Sequence, residues 1–242
     1  MNGNFTFGIF GFSRNAPHHS ISLDDFNKFF YMPSRKYEDK DEKTSLEELK
    51  VRYGCNNILG CELYDYKGAI FQNEVRELGI PPIGMHFQQP ARILSFFNHL
   101  RVVSQMCKQN ESISDEDIII LLRADIKIKK INFNNINNKL KKNDICVWKK
   151  TRKGGFADHY FCIKKNKIDV FIELYEMYKK YIKLFYDKQL PSLKNTGPEF
   201  IFRYYFDELN LNVSCGNFID YEQNHICNKY CGCNKNKTEL LS

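Results

Sequence analysis

The stretch DEDIIILLRADIKI, residues 115–128, determines how the rest of the chain is interpreted. Its apolar run, Ile118 to Leu122, has the length and the β-branched composition of a strand that is buried on both faces. Arg123, Ala124 and Asp125 follow at once. In an extended chain the arginine and the aspartate point to the same side, because side chains alternate along a strand. The stretch therefore predicts a central strand that ends in a cation and a carboxylate.

Strand and helix patterns alternate on both sides of this central strand. Strands are predicted over residues 5–13, 57–66, 118–124, 144–148, 158–165 and 212–222. Helices are predicted over residues 45–53, 68–78, 90–107, 168–188 and 197–209. Most connections have crossover lengths, so we expect an α/β protein with a Rossmann-type, mostly parallel sheet flanked by helices.

Length and composition fit a single folded domain. The chain has 242 residues, of which 43% are hydrophobic, with 20 Phe and 14 Tyr to build a core. We expect one domain over residues 1–224 and a polar, cysteine-containing tail over 225–242. There is no apolar run long enough for a transmembrane segment, and no basic region precedes the short apolar stretch at the N-terminus, so a signal peptide is not expected.

Charge and cysteine content leave several classes of protein open. The net charge of +7 suits nucleic acid, nucleotide phosphates or an anionic membrane face equally well. The lysine-rich runs at 126–131 and 139–144 have no aromatic platform beside them, which favours a solvated face over a nucleic-acid site. The nine scattered cysteines predict reduced thiols in the cytoplasm. In the tail, His225, Cys227, Cys231 and Cys233 have the ligand types for zinc, but their spacing favours a free tail.

Three segments carry the candidate chemistry, two after predicted strands and one that leads into a later strand, since ligands of open α/β sheets bind at the carboxyl ends of strands. They are Gly11–Arg14, Arg123–Asp125, and the pair Asp158 and His159. An arginine fork can hold phosphate or ribose oxygens, and an aspartate can hold a divalent cation that binds a diphosphate. This pairing favours a nucleotide diphosphate, and the alternative is a salt bridge between neighbours at a strand end. Neither the GxGxxG nor the P-loop fingerprint is present in the sequence.

Several motifs together resemble a known family. IIILLRADIKI is followed by GGFADHYFCI, a long helix and GPEFIFRYY, and it is preceded by FGIFGFSRN and ARILSFFNHLRVVSQM. This series resembles the nucleotide-sugar glycosyltransferases of the GT-A fold, and it is similar to those encoded by large DNA viruses such as the chloroviruses. The resemblance spans roughly residues 5–210, although each motif is short.

The resemblance implies roles for particular residues in binding the sugar donor. Gly11, Phe12, Ser13 and Arg14 would cradle the nucleotide, while Arg92 and Ser95 would reach the base or ribose. Arg123, Ala124 and Asp125 stand where the family has its Asp-x-Asp metal motif, with arginine replacing the first aspartate. The implied cofactor is Mn²⁺ or Mg²⁺ at Asp125, or else Asp125 contacts only the ribose or the donor sugar.

Two carboxylates compete for the catalytic role. Asp158 is the expected acceptor-side carboxylate, either as a base or as a stabiliser of the oxocarbenium-like centre, and Glu199 is its rival. Without such a role, Asp158 is a turn residue after two glycines and Glu199 an acid at a helix start. His159 is expected to face away from Asp158. His18 and His19, in the loop after the first strand, could contact phosphate or simply be solvated.

The predicted function is therefore a hexosyl- or pentosyltransferase. It would move a sugar from a nucleotide-diphosphate donor, UDP-sugar being favoured, to a glycan or glycoprotein acceptor in viral or surface glycan synthesis. The enzyme would act in the cytoplasm, or in the host cytoplasm if it is viral. It would have no nucleic-acid partner. The alternative is a non-enzymatic basic protein that binds nucleic acid or acts as a scaffold.

Overall fold

The computed structural model describes residues 4–10, 23–34, 43–65, 67–80, 88–151, 154–191, 193 and 195–223. The strands are β1 Phe5–Phe10, β2 Asn27–Pro33, β3 Ile58–Tyr64, β4 Ile118–Arg123, β5 Ile126–Ile131, β6 Ile145–Val147, β7 Tyr160–Lys164, β8 Val213–Cys215 and β9 Ile219–Gln223. The helices are α1 Leu46–Tyr53, α2 Gly68–Glu77, α3 Gln88–Gln109, α4 Phe133–Leu140, α5 Asp169–Tyr186 and α6 Pro198–Glu208.

A seven-stranded sheet with the order β3-β2-β1-β4-β7-β6-β8 forms the centre of the protein. Strands β1, β2, β3 and β4 pair in parallel, and so do β6 and β8. Strand β7 is antiparallel to both of its neighbours, β4 and β6. The predicted α/β class, a mostly parallel sheet flanked by helices, is confirmed. The chain order reverses between β1 and β4, and this switch point is where open α/β sheets bind ligands.

The two faces of the sheet are both buried, as the unbroken apolar run of β4 predicts. Ile119 and Leu121 belong to the core cluster that also contains buried residues of α2, α3, α5 and α6. Ile118, Ile120 and Leu122 belong to the opposite cluster, with residues of α1, α4 and the small β5–β9 sheet. The period-two alternation along one strand therefore feeds two cores, which fixes the register of β4 between them.

The predicted helices are all present, with ends shifted by two residues or fewer. At the start of α1, the Ser45 side chain accepts a hydrogen bond of 3.1 Å from the backbone N–H of Glu48, as the capping pattern indicated. Pro198 occupies the first turn of α6. No helix among the described residues is both long and apolar enough to cross a membrane.

Three parts of the strand prediction differ from the structure. Strand β2 was missed. The predicted strand over 212–222 is wrong as a single element, because β8 and β9 lie in different sheets with Gly216 between them. The lysine-rich run 126–131, interpreted as a solvated face, is strand β5, paired with β9. Its isoleucines are buried while Lys129 and Lys130 are exposed, so the run is a half-buried strand.

Candidate active site

The carboxyl end of β4 and the start of β7 meet at one edge of the sheet. Strand β7 is antiparallel to β4, so its first residues lie beside the last residues of β4, with Leu122 opposite Tyr160. The backbone N–H of Arg123 donates to the carbonyl of His159 over 3.3 Å, and that of Ala124 donates to the carbonyl of Phe10 over 2.9 Å. Residues just before β7 therefore reach the ligand-binding edge only because this one strand runs in the opposite direction.

Arg123 joins two carboxylates at this edge. Its Nε and Nη2 donate to the two oxygens of Asp125 over 3.0 and 2.6 Å. Its Nη1 donates to Asp158 Oδ1 over 3.1 Å. The three side chains retain 25%, 24% and 13% exposure respectively, so the cluster is partly buried and still open to a ligand. The structure thus brings Arg123, Asp125 and Asp158 together, and the strand-end salt bridge that was the alternative interpretation is also present.

The electrostatics of the cluster keep the arginine charged. Burial lowers the pKa of the Arg123 guanidinium, but the charges of Asp158 and Asp125 and their hydrogen bonds outweigh that effect. The net shift of the pKa is upward, which favours the charged form of the guanidinium. A fixed positive charge therefore lies between two carboxylates.

Glu199 is brought to the same cluster by the close packing of the 154–158 loop against the start of α6. The backbone N–H of Phe156 donates to the Glu199 carbonyl over 2.9 Å. A Cβ on Gly155 would lie 2.7 Å from that carbonyl oxygen, so only glycine allows the approach. Burial raises the pKa of the Glu199 carboxyl. Its own backbone N–H lowers it, the Asp158 charge raises it and Arg123 lowers it, with a net upward shift.

The second face of the sheet supports the Arg-Ala-Asp turn. The buried hydroxyl of Tyr53, at the end of α1, donates to the carbonyl of Ala124 over 3.0 Å. A carbonyl at a turn between β4 and β5 would otherwise be left unpaired in an apolar layer, which is costly. Tyr53 therefore holds Ala124 in place from the α1 face of the sheet, while Arg123 and Asp125 form their ion pair where the site is open to a ligand.

An aromatic cluster lies next to Asp158, and the sequence interpretation missed it. The ring of His159 stacks on Trp148 with centroids 4.7 Å apart, and its Nδ1 is hydrogen-bonded to the Tyr221 hydroxyl. His159 thus lies against these rings while Asp158 faces Arg123, as alternation along the chain predicted. The signal for Trp148 was available, since it is the one Trp of the chain and the last residue of a predicted strand. Tyr221 reaches the site through the unforeseen β5–β9 pairing.

Arg92 and Ser95 lie on the N-terminal part of α3, near the same edge. The rings of Phe10 and Phe96 are 5.6 Å apart, so this part of α3 adjoins the carboxyl end of β1. Arg92 is exposed, whereas Ser95 is 1% exposed. The Ser95 hydroxyl has no hydrogen-bond partner within the part of the chain that the structure describes. No contact among those residues joins either side chain to Arg123.

Other predicted site residues fall outside the described residues. These are Gly11, Phe12, Ser13 and Arg14, the loop histidines His18 and His19, and the tail ligands His225, Cys227, Cys231 and Cys233. The six cysteines that the structure describes are all free thiols.

The side chains around Asp125 do not fit a divalent cation. Each carboxylate oxygen of Asp125 already accepts an N–H of Arg123. Within the described ranges, no three His, Cys, Asp or Glu side chains are grouped so that they could hold a metal ion. Mn²⁺ and Mg²⁺ require several oxygen ligands in a regular arrangement, and a guanidinium bound to the one aspartate of the motif opposes that arrangement.

Comparisons with known proteins give only distant similarities. No family model matches the chain, and no curated protein matches its sequence. The solved structures that resemble it include mouse xyloside xylosyltransferase 1 in its apo form, with 12% identity and a TM-score of 0.42 over 89% of this chain and 85% of that one. An active-site mutant of LgtC gives 13% identity and a TM-score of 0.39 over 79% of this chain and 61% of that one. The PaToxG glycosyltransferase gives 12% identity and a TM-score of 0.37 over 86% and 70%. TM-scores this low do not establish a shared activity.

Proposed function

We propose that the protein is a glycosyltransferase that uses a nucleotide-diphosphate sugar as its donor. The observation that supports this most directly is the cluster of Arg123, Asp125 and Asp158 at the switch point of the sheet, with Glu199 beside it. Glycosyl transfer passes through an oxocarbenium-like centre and needs carboxylates that stabilise it or take a proton from the acceptor. A cluster with more carboxylates than cations suits that positive centre.

The two candidate carboxylates differ in their surroundings, which supports different roles. Asp158 forms an ion pair with the Arg123 guanidinium. Glu199 has a raised pKa, mainly through burial, so its carboxyl stays protonated to a higher pH than that of an exposed glutamate. We assign Asp158 to the acceptor side of the reacting centre, and Glu199 is the rival for proton transfer. An ion-paired carboxylate beside a buried carboxyl with a raised pKa provides two chemically different groups in one site.

The finer identity of the substrates follows from the sequence resemblance. The favoured donor is a UDP-sugar, with Arg123 and Asp125 contacting it and Gly11–Arg14, Arg92 and Ser95 completing the nucleotide site. The acceptor is a glycan or glycoprotein, and the free thiols support action in the cytoplasm. A viral origin of this activity is part of the same proposal.

A screen of nucleotide sugars tests the proposed function. Purified protein is incubated with a panel of UDP-, GDP- and CMP-sugars, and release of the nucleotide is measured with and without added glycan acceptors. We expect one donor to be hydrolysed slowly, and faster when a suitable acceptor is present. Asp125→Asn, folded as judged by circular dichroism, should lose this turnover. No release from any donor, or full turnover by the variant, would contradict the proposal.

A further inference from the structure

The cluster at the end of β4 has an arginine where a metal-dependent site would need a second oxygen ligand. Arg123 and Asp125 make a two-pronged ion pair, and the same guanidinium bridges to Asp158. A divalent ion in such a place has two tasks, which are to hold the carboxylates in fixed positions and to present positive charge to the substrate. The first task is already performed by the three hydrogen bonds of Arg123.

The arginine also retains donors for a substrate. A guanidinium has five N–H groups in a planar arrangement. Three of them bind Asp125 and Asp158, which leaves two, one on each terminal nitrogen. Because a quarter of the Arg123 side chain remains exposed, a ligand at the edge of the sheet can reach them. Phosphate and sugar oxygens are matching acceptors for an arginine donor.

The charges of the site limit what Arg123 can do alone. A divalent ion would neutralise Asp125 and Asp158 completely, whereas one guanidinium leaves a net charge of one negative unit. The charge of a diphosphate must therefore be met by additional groups at the same edge. The N-terminal part of α3 adjoins this edge, with a helix dipole that is positive at that end and the exposed Arg92 in its first turns.

We propose that Arg123 replaces the divalent cation, so that the protein binds its nucleotide donor without a metal. This inference rests on the proposed function for the identity of the ligand. The guanidinium fixes Asp125 and Asp158 relative to each other and offers its two remaining N–H donors to the donor diphosphate or sugar. Binding then depends on the planar fork of the arginine and not only on its charge.

Calorimetry with UDP and GDP tests the role of the metal in binding. Each nucleotide is titrated into the full chain in EDTA and again in Mn²⁺. We expect the same affinity in both buffers. Arg123→Lys keeps the charge and loses the fork, and its affinity should fall by about 10- to 150-fold, as expected for lost charge-assisted hydrogen bonds. Nucleotide affinity that requires Mn²⁺, or that is unchanged in the lysine variant, overturns the inference.

Electron paramagnetic resonance of Mn²⁺ separates this inference from the proposed function, because it needs no nucleotide. The free-ion signal is recorded with the wild-type protein and with Asp125→Asn. We expect the two proteins to give the same signal, since Asp125 holds no metal. Mn²⁺ uptake by the wild type that is lost in Asp125→Asn overturns the inference, even if no nucleotide binds. If no nucleotide binds in either buffer but the two proteins give equal Mn²⁺ signals, the proposed donor is wrong. The conclusion that Asp125 holds no metal then still stands.

Discussion

At the residue scale, the position of Arg123 and Asp125 at the end of a buried strand has a physical explanation. A buried strand can end in two opposite charges because they neutralise each other in a bidentate pair and share that pair with a third side chain, Asp158. The sequence could predict that Arg123 and Asp125 face the same side. The sequence also placed Asp158 in the same candidate site, but it could not predict the hydrogen bond that joins Asp158 to Arg123, 35 residues earlier. That contact depends on β7 running antiparallel to β4.

Asp158→Asn separates catalysis from binding. The amide keeps the shape and an oxygen that accepts the Arg123 hydrogen bond, but it removes the negative charge and the basicity. We expect turnover to fall by about 10²–10⁴-fold, which is typical of a lost general base. Donor affinity should change little, because the lost interaction is made mainly in the transition state. Steady-state kinetics and calorimetry measure the two quantities.

Glu199→Gln is the matched comparison for the same experiment. A large loss of turnover in this variant, with only a mild loss for Asp158→Asn, would mean that Glu199 is the catalytic carboxylate. If neither substitution slows transfer, no side-chain base is needed, and the leaving phosphate of the donor would accept the proton.

The raised pKa of Glu199 predicts a specific dependence of stability on pH. A carboxyl whose pKa is higher in the folded state binds protons more tightly there, so it favours folding at low pH. This contribution is complete below the unfolded pKa of about 4.3 and is lost as the pH rises through the raised folded value. Relative to wild type, the melting temperature of Glu199→Gln should therefore increase as the pH rises through that window. If the melting temperature of Glu199→Gln minus that of wild type stays constant or falls over this pH range, the pKa of Glu199 is not raised in the folded protein.

At the scale of elements, the site depends on contacts between loops and helices that are far apart in the sequence. The helices were predictable because each one has its own apolar period and end signals, such as Ser45 before α1 and Pro198 in α6. The strands at the margins were harder. Strand β5 has the composition of a charged loop, but it pairs with β9 and its isoleucines are buried in the core cluster that also contains residues of α1 and α4. The alternation Ile126-Lys127-Ile128 was a strand signal, but it was short and the lysine content around it obscured it, so tertiary pairing decided the element.

Gly155→Ala tests whether the 154–158 loop positions α6. A new Cβ would lie 2.7 Å from the carbonyl oxygen of Glu199 and 2.8 Å from its carbonyl carbon, so the loop and the helix start must separate. We expect a loss of stability of about 1–3 kcal/mol, measured by urea unfolding. We also expect reduced turnover, because the Glu199 carboxyl moves away from Asp158 and Arg123.

Gly154→Ala is the control for that substitution. Gly154 has open space around its Cβ position but a φ of +93°, so alanine there is strained without touching α6. Its stability should fall by about 1–2 kcal/mol while the turnover of the folded protein is retained. Equal losses of turnover in both variants would indicate that general destabilisation, and not the position of Glu199, limits activity.

At the scale of the whole molecule, the fold brings together charged residues that are far apart in the sequence. Asp158 and Glu199 reach Arg123 through a sheet order that no local pattern encodes, because strand pairing between distant segments is set by global packing. Many lysines, by contrast, lie on exposed surface, including Lys130 on β5 and Lys141 and Lys142 after α4, although Lys28 is fully buried. The excess positive charge and the candidate site are thus distinct features, and each can be altered without the other.

The combined charge reversal Lys130→Glu, Lys141→Glu and Lys142→Glu distinguishes a nucleotide-sugar enzyme from a nucleic-acid-binding protein. Each Lys→Glu reversal replaces a positive charge by a negative one, so three of them lower the net charge from +7 to +1. For an enzyme, the rise in melting temperature with UDP or GDP should be the same as in wild type, because these side chains take no part in the Arg123 cluster. Any binding of DNA or RNA by the wild type should be weak, should decline steeply with salt and should be lost in the variant, since it arises from phosphate neutralisation alone. Gel shifts at two salt concentrations, beside thermal melts with each nucleotide, measure both properties. Tight wild-type binding to one nucleic-acid sequence at physiological salt, with no stabilisation by any nucleoside diphosphate, would favour the alternative class.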